Sequence, residues 1–473
     1  MTPQETVERA LAAARCDDCV VIADEISQAN LRWAANSLTT DGVSRTRRLT
    51  VIAISRGADG ARAGVVSRAG VRSDQVSDVV AAAERAAGQN APAEDAQELL
   101  GPGDPEAFGA REGPEPGQPG WYDDPGSTGI GVFGSFSPAL GAAFEAAAAA
   151  GRKLYGYAEH SLTSTFLGTS TGLRLRHDQP AGQADINAKS ASGGGSAWAG
   201  RATADFTDVD VAAIAADLDR RLDWAQRQVD LPAGRYQTLL SPSAMADLFI
   251  YLYLSAGAKD ALDGRTVFSK PTGATRVGER LASMPVTLRS DPGAAGLRCA
   301  PFVTVRASGR EASVFDNGLA IPPVTWVDGG VLSALMQTRW TAELSGLPVT
   351  PATDNLIFEG PGTGGAGLDD LVAGTRRGLL VTCLWYIREV DPQTLLLTGL
   401  TRDGVYLVEN GEVAGAVNNF RFNESPVALL GRLAEVGATV PVLPREFGGG
   451  FSRTAMPPAR FEDFNMSSVS QAS

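Results

Sequence analysis

The sequence predicts an α+β fold, in which N-terminal α/β units with helices on antiparallel strands precede a large C-terminal antiparallel β-sheet or barrel-like domain. Apolar residues recur at helical spacing in a few well-punctuated segments, all before residue 265. After them come short apolar segments separated by Gly and Pro, as in sheets or barrels. A length of 473 residues predicts two or three folded units. We place the units and one loop or linker at residues 1–100, 101–131 (loop or linker), 132–230 and 231–473.

The first unit is predicted to contain a helix, strands, a hairpin and a second helix. Thr2 can cap the first helix, Pro3 suits its first position, and Glu5 completes a capping box. Gly57 to Gly60 forms the turn of a hairpin. The second helix begins at Ser73, turns valines inward and ends at Gly88. The strands are predicted at residues 19–22, 30–38, 49–54 and 63–67.

The predicted loop at residues 101–131 is rich in Gly, Pro and acidic residues and has almost no periodicity. In the middle unit, Ser137 and Pro138 open a helix that Gly151 closes. Residues 155–204 alternate Thr, Ser, Leu and Gly with frequent turns, which is typical of antiparallel strands. A further helix is predicted across residues 208–228.

The third unit begins with a helix predicted over residues 241–264, which Ser241 and Pro242 start. The middle of this helix is apolar on every side, which predicts that it is buried. Asn410-Gly411 suits a type I′ turn and is the clearest hairpin signal in the chain. Strands are predicted at residues 286–288, 302–306, 325–332, 379–389, 394–400 and 405–413.

Composition and charge exclude several classes of function. With 41 Lys and Arg against 54 Asp and Glu, the formal net charge is −13, which argues against nucleic acid as a partner. No segment approaches the roughly 20 apolar residues that a spanning helix needs, so we expect no membrane partner. The N-terminus lacks a signal peptide pattern, and four cysteines are too few for a disulfide scaffold. We expect a cytoplasmic protein.

Cys16 and Cys19 have the C-x-x-C spacing of redox dithiols and zinc knuckles. A redox pair normally opens a helix, whereas this pair follows one and is separated by two aspartates that raise the thiol pKa. A zinc knuckle needs a second ligand pair, and neither Cys299 nor Cys383 provides one at close spacing. We therefore interpret these cysteines as structural or incidental.

The chain has only two histidines, His160 and His177, and they lack the i, i+4 spacing of a helical metal site. We interpret both as surface or hydrogen-bonded residues. A Ser-His-Asp arrangement stays open because its members can be distant in sequence, although no G-x-S-x-G elbow is present. The glycine-rich segment from Ser192 to Ser196 lacks the Lys-Ser/Thr of a phosphate loop and is interpreted as a turn.

Several short motifs of the third unit resemble, in their order and spacing, those of the TldD/PmbA family. The C-terminal tail resembles that family's terminal strand, and the opening helix and the strand from Leu31 to Ser37 fit its N-terminal part. The resemblance covers most of the chain apart from residues 101–131. The motifs are Ser290 to Pro292, Phe315 to Pro322, Trp326 to Leu332, Gly404 to Val413 and Ala455 to Phe464.

The resemblance implies a cytoplasmic zinc peptidase complex of two related subunits, which degrades unfolded or leader peptides. The catalytic subunit of that family carries zinc on an H-E-x-x-x-H helix and on a late Cys. Here the corresponding positions fall at about Phe249, Ile250 and Leu254, none of which can bind Zn²⁺ or move a proton. The late Cys would lie near residues 447–450, which read Phe-Gly-Gly-Gly. We do not transfer its role to Cys383.

These observations predict a TldE/PmbA-like subunit that binds no metal, has no catalytic residues of its own and depends on a zinc-bearing TldD-like partner in a hetero-oligomer. Its peptide-binding residues are not identifiable from the sequence. One alternative is a self-associating peptide-binding or scaffold protein without a protease role. Another is an independent hydrolase that uses Ser or Cys383 with His160 or His177.

Overall fold

A computed structural model describes residues 1–109, 120–190, 195–271, 273–362 and 365–470. Parts of the predicted loop (residues 110–119) and of the glycine-rich turn (residues 191–194) lie outside the described residues. The α+β class predicted from the sequence is confirmed. The N-terminal elements are α1 (Pro3–Ala13), β1 (Asp18–Ala34), β2 (Ser37–Gly57), β3 (Gly60–Ala69), α2 (Val76–Gln89), α3 (Phe136–Ala149), β4 (Arg152–Thr169), β5 (Arg174–Ser190), β6 (Ser196–Thr203) and α4 (Val211–Trp224).

The N-terminal strands form one six-stranded sheet in the order β3-β2-β1-β4-β5-β6. All of its pairs are antiparallel, and β1 pairs with β4 along most of its length. Strands from residues 1–100 and from residues 132–230 therefore share one sheet. Helix α1 packs over β1 and β4, α2 packs over β3 and β2, and α3 and α4 cover β4, β5 and β6.

The turn between β1 and β2 corrects the strand predicted at residues 30–38. Ala35 and Asn36 both have positive φ, 51° and 65°, and connect two antiparallel strands in place of one continuous strand. This is the geometry of a type I′ turn, and Asn is one of the residues that tolerate it. The Asn36 side chain also donates to the carbonyl of Arg152 and accepts from the N–H of Leu154.

The C-terminal part contains two further sheets. Its elements are β7 (Gln228–Val229), β8 (Gly234–Leu240), α5 (Pro242–Leu254), α6 (Ala258–Leu262), β9 (Thr287–Ser290), β10 (Val324–Asp328), β11 (Val331–Leu332), α7 (Arg339–Ser345), β12 (Leu356–Glu359), α8 (Leu368–Ala373), β13 (Arg377–Val381), β14 (Trp385–Asp391), β15 (Leu396–Leu400), β16 (Val405–Glu409), β17 (Glu412–Val417), β18 (Phe420–Glu424), α9 (Pro426–Leu430), β19 (Leu433–Val436), β20 (Val440–Val442), β21 (Thr454–Met456) and β22 (Ala459–Val469).

Of the two forms that the sequence left open, sheet or barrel, the structure has a large open sheet. It contains ten strands with the path β14-β15-β18-β22-β8-β13-β16-β17-β7, and β19 pairs with β22. A six-stranded sheet has the order β11-β10-β9-β12-β21-β20. Most pairs are antiparallel, but β8–β13, β7–β17 and β12–β21 are parallel. Helix α5 lies in the large core between these two sheets.

Several further predicted elements differ in the structure. The strand predicted at residues 325–332 is two antiparallel strands, β10 and β11, joined by a turn at Gly329 and Gly330 with positive φ. The strand predicted at residues 379–389 is two strands, β13 and β14, which lie apart in the ten-stranded sheet. The helix predicted from Ser241 stops at Leu254, and a separate short helix, α6, follows after Gly257. The strand predicted at residues 302–306 is irregular apart from a single bridge between Phe302 and Ala320. Helix α2 continues through Gly88 to Gln89, since a glycine near a helix end is tolerated without ending it.

Candidate functional site

Helix α5 is the element on which the family resemblance places zinc ligands. Ser241 caps it by accepting from the N–H of Ala244, and Pro242 occupies its first turn. Phe249 and Ile250 are fully buried, and the Phe249 ring packs edge-on against Phe358 at 4.9 Å between centroids. These side chains therefore contribute to the hydrocarbon core and do not fit a zinc ligand set.

One polar side chain on α5, that of Asp247, holds the segment before β21 in place. Its carboxylate is fully buried and accepts from the N–H of Glu446 at 2.8 Å and from the N–H of Arg445 at 3.3 Å. Burial raises the pKa of Asp247 well above its ordinary value, although these hydrogen bonds act in the opposite direction. The segment that carries Arg445 is thus fastened to the core helix.

The guanidinium of Arg445 is almost enclosed between two sheets. It lies 4.4 Å from the ring centroid of Trp385 on β14 and 5.4 Å from that of Trp198 on β6. It donates to the carboxylate of Asp403 at 2.9 Å and to the sulfur of Cys383 at 3.0 Å. Stacking and charge pairing together join the N-terminal sheet to the ten-stranded sheet at this point.

A cavity of about 980 Å³ opens beside this cluster, between the N-terminal sheet and the ten-stranded sheet. Its wall combines aromatic rings with positive charges and a single carboxylate, although the chain as a whole is acidic. Such a mixture suits an amphipathic ligand such as a peptide. The side chains used in this argument are Tyr155, Lys189, Trp385, Tyr386, Arg402 and Asp403.

Strand β14 forms one margin of this cavity and is an edge strand. Among the described strands it pairs only with β15, so its other edge has no strand beside it. Tyr386 is half exposed and has a positive φ of 52°, a conformation uncommon for a non-glycine residue. Its N–H donates to Glu446, which also accepts from Arg388 at 3.0 Å.

The cysteines and histidines weighed in the sequence do not form a catalytic group in the described part of the chain. Both ring nitrogens of His160 are hydrogen-bonded, to Thr128 and to the carbonyl of Ala204. His177 contacts Gln179, and burial lowers the pKa of its imidazole. Burial raises the pKa of Cys383, which is opposite to what a nucleophilic thiolate requires.

The pair Cys16 and Cys19 follows α1 and enters β1. Both thiols are free, Cys19 is buried and Cys16 is partly exposed. Their mutual hydrogen bond lowers the pKa of Cys16 and raises that of Cys19. Within the described ranges, no group of three or more His, Cys, Asp or Glu side chains is arranged to hold a metal ion.

The ionisation of Asp403 should make the free energy of unfolding depend measurably on pH. Burial alone would raise its pKa, but hydrogen bonds from Ser196 and Arg445 hold the pKa below its ordinary value. Such a carboxyl stabilises the fold above the unfolded-state pKa of about 3.9, and this contribution is lost as the pH falls through the folded-state value. When the pH is lowered from about 5 to about 3, we expect the free energy of unfolding, measured in urea, to fall less in the Asp403→Asn variant than in the wild type. Equal losses in the two proteins would contradict this.

Comparison with known proteins gives the family. Residues 233–468 match the PmbA/TldA metallopeptidase C-terminal domain. The chain belongs to the TldD/PmbA family. This family domain contains α5, Asp403, Arg445 and the ten-stranded sheet apart from β7, so the candidate site lies largely within it. No curated protein sequence matches the chain at a significant level.

Solved structures of the same fold cover nearly the whole chain. TldE from Thermococcus kodakarensis is 17% identical, with a TM-score of 0.76 over 98% of this chain and 99% of that chain. A proposed modulator of DNA gyrase from Bacteroides thetaiotaomicron is 17% identical, with a TM-score of 0.73 over 99% and 98%. One from Thermotoga maritima is 16% identical, with a TM-score of 0.74 over 98% and 99%. At these identities the likeness establishes the fold of this TldD/PmbA family member.

Sequence reasoning considered Cys383 as a possible nucleophile but missed the other side chains that define the site. Arg445 is separated from Asp403 by 42 residues and from Cys383 by 62, and no local pattern marks any of them. The available signal was composition: Trp385 and Tyr386 are adjacent aromatic residues in a chain that is only 7% aromatic. Among the described residues, no helix has the length and apolar character needed to cross a membrane.

Proposed function

We propose that this chain is the metal-free, TldE-like subunit of a two-component cytoplasmic zinc peptidase, working with a TldD-like catalytic partner on unfolded or leader peptides. The observation that carries the proposal is α5. Where the family resemblance calls for His, Glu and His, this helix presents Phe249 and Ile250, both fully buried, and Leu254 at its last position. A catalytic zinc needs about three protein ligands and an open position for water. The zinc of the complex is therefore assigned to the partner.

In this proposal the chain contributes a surface that holds the peptide. The edge of β14 that faces away from β15 can add an extended peptide as a further strand, because backbone hydrogen bonds give affinity that tolerates different sequences. The N–H of Tyr386 and the carbonyl of Ile387 are already bonded to Glu446 and Tyr251, so the added strand would run along the residues after Ile387. Tyr386 and Trp385 stand where this edge meets the cavity of about 980 Å³, and their rings can cover apolar side chains of the peptide. The substrate is thus positioned here and cleaved at the metal of the other subunit.

The test compares cleavage of an unstructured leader-type peptide by this chain, by a TldD-like partner with an intact H-E-x-x-x-H motif, and by their mixture. We expect cleavage by the mixture, its loss on chelation, and no metal-dependent cleavage by this chain alone. Cleavage by the isolated chain after chelator treatment would refute the proposal. So would stoichiometric zinc in the isolated chain, measured by elemental analysis.

A substitution on β14 tests whether this strand binds the peptide. Tyr386→Ala is expected to raise the KM of the mixture about tenfold while the two proteins still associate, because an exposed aromatic contact is lost. Val469→Ala is the matched control, since Val469 is similarly exposed (48% against 50%) but lies at the end of β22 outside the cavity. Equal kinetics for the two variants would show that the peptide is not held at β14.

A further inference from the structure

The outer half of β2 is a sheet edge without a second neighbouring strand among the described residues. Strand β3 pairs with β2 only from Arg48 to Gly57, whereas β1 pairs with β2 from Ser37 to Ile54. Residues 37–46 therefore have a neighbouring strand on one side only among the described residues. Almost all of them are exposed, and Val43 is 59% exposed. An exposed edge of this kind is a template for pairing with another chain.

The direction of the free backbone groups follows from the hydrogen bond next to this edge. The N–H of Gly70 donates to the carbonyl of Arg47 at 2.9 Å, so the backbone of Arg47 faces away from β1. Every second residue in a strand faces the same way, which gives the same orientation to Asp41, Val43 and Arg45. Within the described structure, no hydrogen bond takes up the backbone groups of these three residues.

We propose that two copies of this chain pair edge to edge through β2, antiparallel, with the two-fold axis at Val43. In that register Val43 faces Val43 of the second copy, and each Asp41 lies opposite Arg45 of the other copy. Each of these residue pairs can exchange both of its N–H···O bonds. Their side chains share one face, so that two ion pairs flank an apolar contact.

The charges along this edge favour a second copy of the chain as the partner and determine the register of pairing. Arginines on an edge normally discourage pairing, because like charges then lie opposite each other. A two-fold axis at Arg45 would place Arg45 against its own copy, and an axis at Asp41 would do the same to Asp41. An axis at Val43 matches opposite charges on both sides. An axis at Ser44 would also place Asp41 opposite Arg47, but the Arg47 carbonyl already accepts from the N–H of Gly70 and cannot join the new ladder fully. Such self-complementarity is the property of a two-fold interface between identical chains.

The test is the mass of the purified chain in solution across a concentration series, by sedimentation velocity. We expect a reversible dimer for the wild type. Asp41→Arg and Arg45→Asp should each raise the dimer dissociation constant at least about tenfold, because each creates two like-charge pairs. The double variant Asp41→Arg/Arg45→Asp should restore the dimer, because it exchanges the charges and keeps the match.

Asp328→Arg is the matched control: it reverses an exposed aspartate on β10 and should leave the dimer intact. Thermal unfolding followed by circular dichroism checks that every variant is folded. A wild type that is monomeric at all concentrations would overturn the inference, and so would a double variant as monomeric as the singles. If the wild type is monomeric and Asp41→Arg blocks only association with a TldD-like partner, the edge belongs to that partner and self-pairing is refuted. Peptide cleavage by the mixture is scored separately, so either proposal can fail alone.

Discussion

Replacing Arg445 with methionine is expected to lower the free energy of unfolding by about 3–5 kcal/mol, the cost of breaking a buried ion pair from one side. The Arg445 side chain is only 7% exposed and that of its partner Asp403 13%. The Asp403 carboxylate would keep the hydroxyl of Ser196 and the guanidinium of Arg402 at 3.8 Å, but little contact with water. Methionine approximates the length of the side chain and limits the cavity left between Trp198 and Trp385. Urea unfolding at neutral pH measures the difference.

Arg388→Met is the control for this substitution. Arg388 also pairs with a carboxylate, that of Glu446 at 3.0 Å, but its own side chain is 67% exposed. We expect a loss below about 1 kcal/mol, because solvent screens an exposed ion pair. Similar losses in both variants would show that burial of Arg445 between the two sheets does not govern its contribution.

Gly64→Ala is expected to destabilise the protein by about 3 kcal/mol through overpacking. Helix α2 crosses β3 so closely that a Cβ on Gly64 would lie 2.1 Å from the backbone nitrogen of Ala87 and 2.2 Å from the carbonyl oxygen of Ala83. Backbone atoms cannot rotate away as a flexible side chain can. The helix would have to move off the sheet, which would open the core that α2 and the sheet share.

Gly88→Ala provides the matched comparison, since it makes the same substitution in α2 itself. A Cβ at Gly88 meets nothing within 4 Å, and alanine is the better helix former. We expect unchanged stability or a gain of at most about 1 kcal/mol. Only the midpoint of thermal unfolding of Gly64→Ala should therefore fall, and a similar fall in both variants would rule out close packing at Gly64 as the cause.

The sequence predicted the elements that depend on local chemistry. The Thr2 and Glu5 capping box opens α1 as expected, and the side chains of both residues make the predicted bonds. Asn410 and Gly411, with φ of 53° and 85°, form the predicted turn between β16 and β17. The helix that starts at Ser241 is buried on nearly every side. Capping, turn conformation and apolar content each depend on neighbouring residues, so a single sequence reveals them.

Short irregular segments were less predictable. The apolar alternation of residues 302–306 favoured a strand, but this segment has an irregular backbone and contacts side chains that are distant in the sequence. The guanidinium of Arg306 donates to the buried carboxylate of Asp24 on β1. Its Nη2 lies 2.7 Å from each carboxylate oxygen, and its Nε lies 3.2 Å from Oδ2. Tertiary contacts of this kind override strand propensity, because propensity describes the fit to a pleated surface that this segment does not meet.

What the sequence determined by itself was the α+β class, the positions of most helices and hairpins, and the absence of metal-binding side chains at the three α5 positions that the family resemblance marks. What only the tertiary structure decided was which distant residues meet: the joining of the N-terminal strands into one sheet, the parallel pairs β8–β13 and β12–β21, and the enclosure of Arg445 between Trp198 and Trp385. The physical reason is the distance along the chain over which each interaction acts. Caps, turns and apolar periodicity are fixed over a few residues, whereas sheet order and buried charge pairs depend on how packing brings together segments that are far apart in the chain.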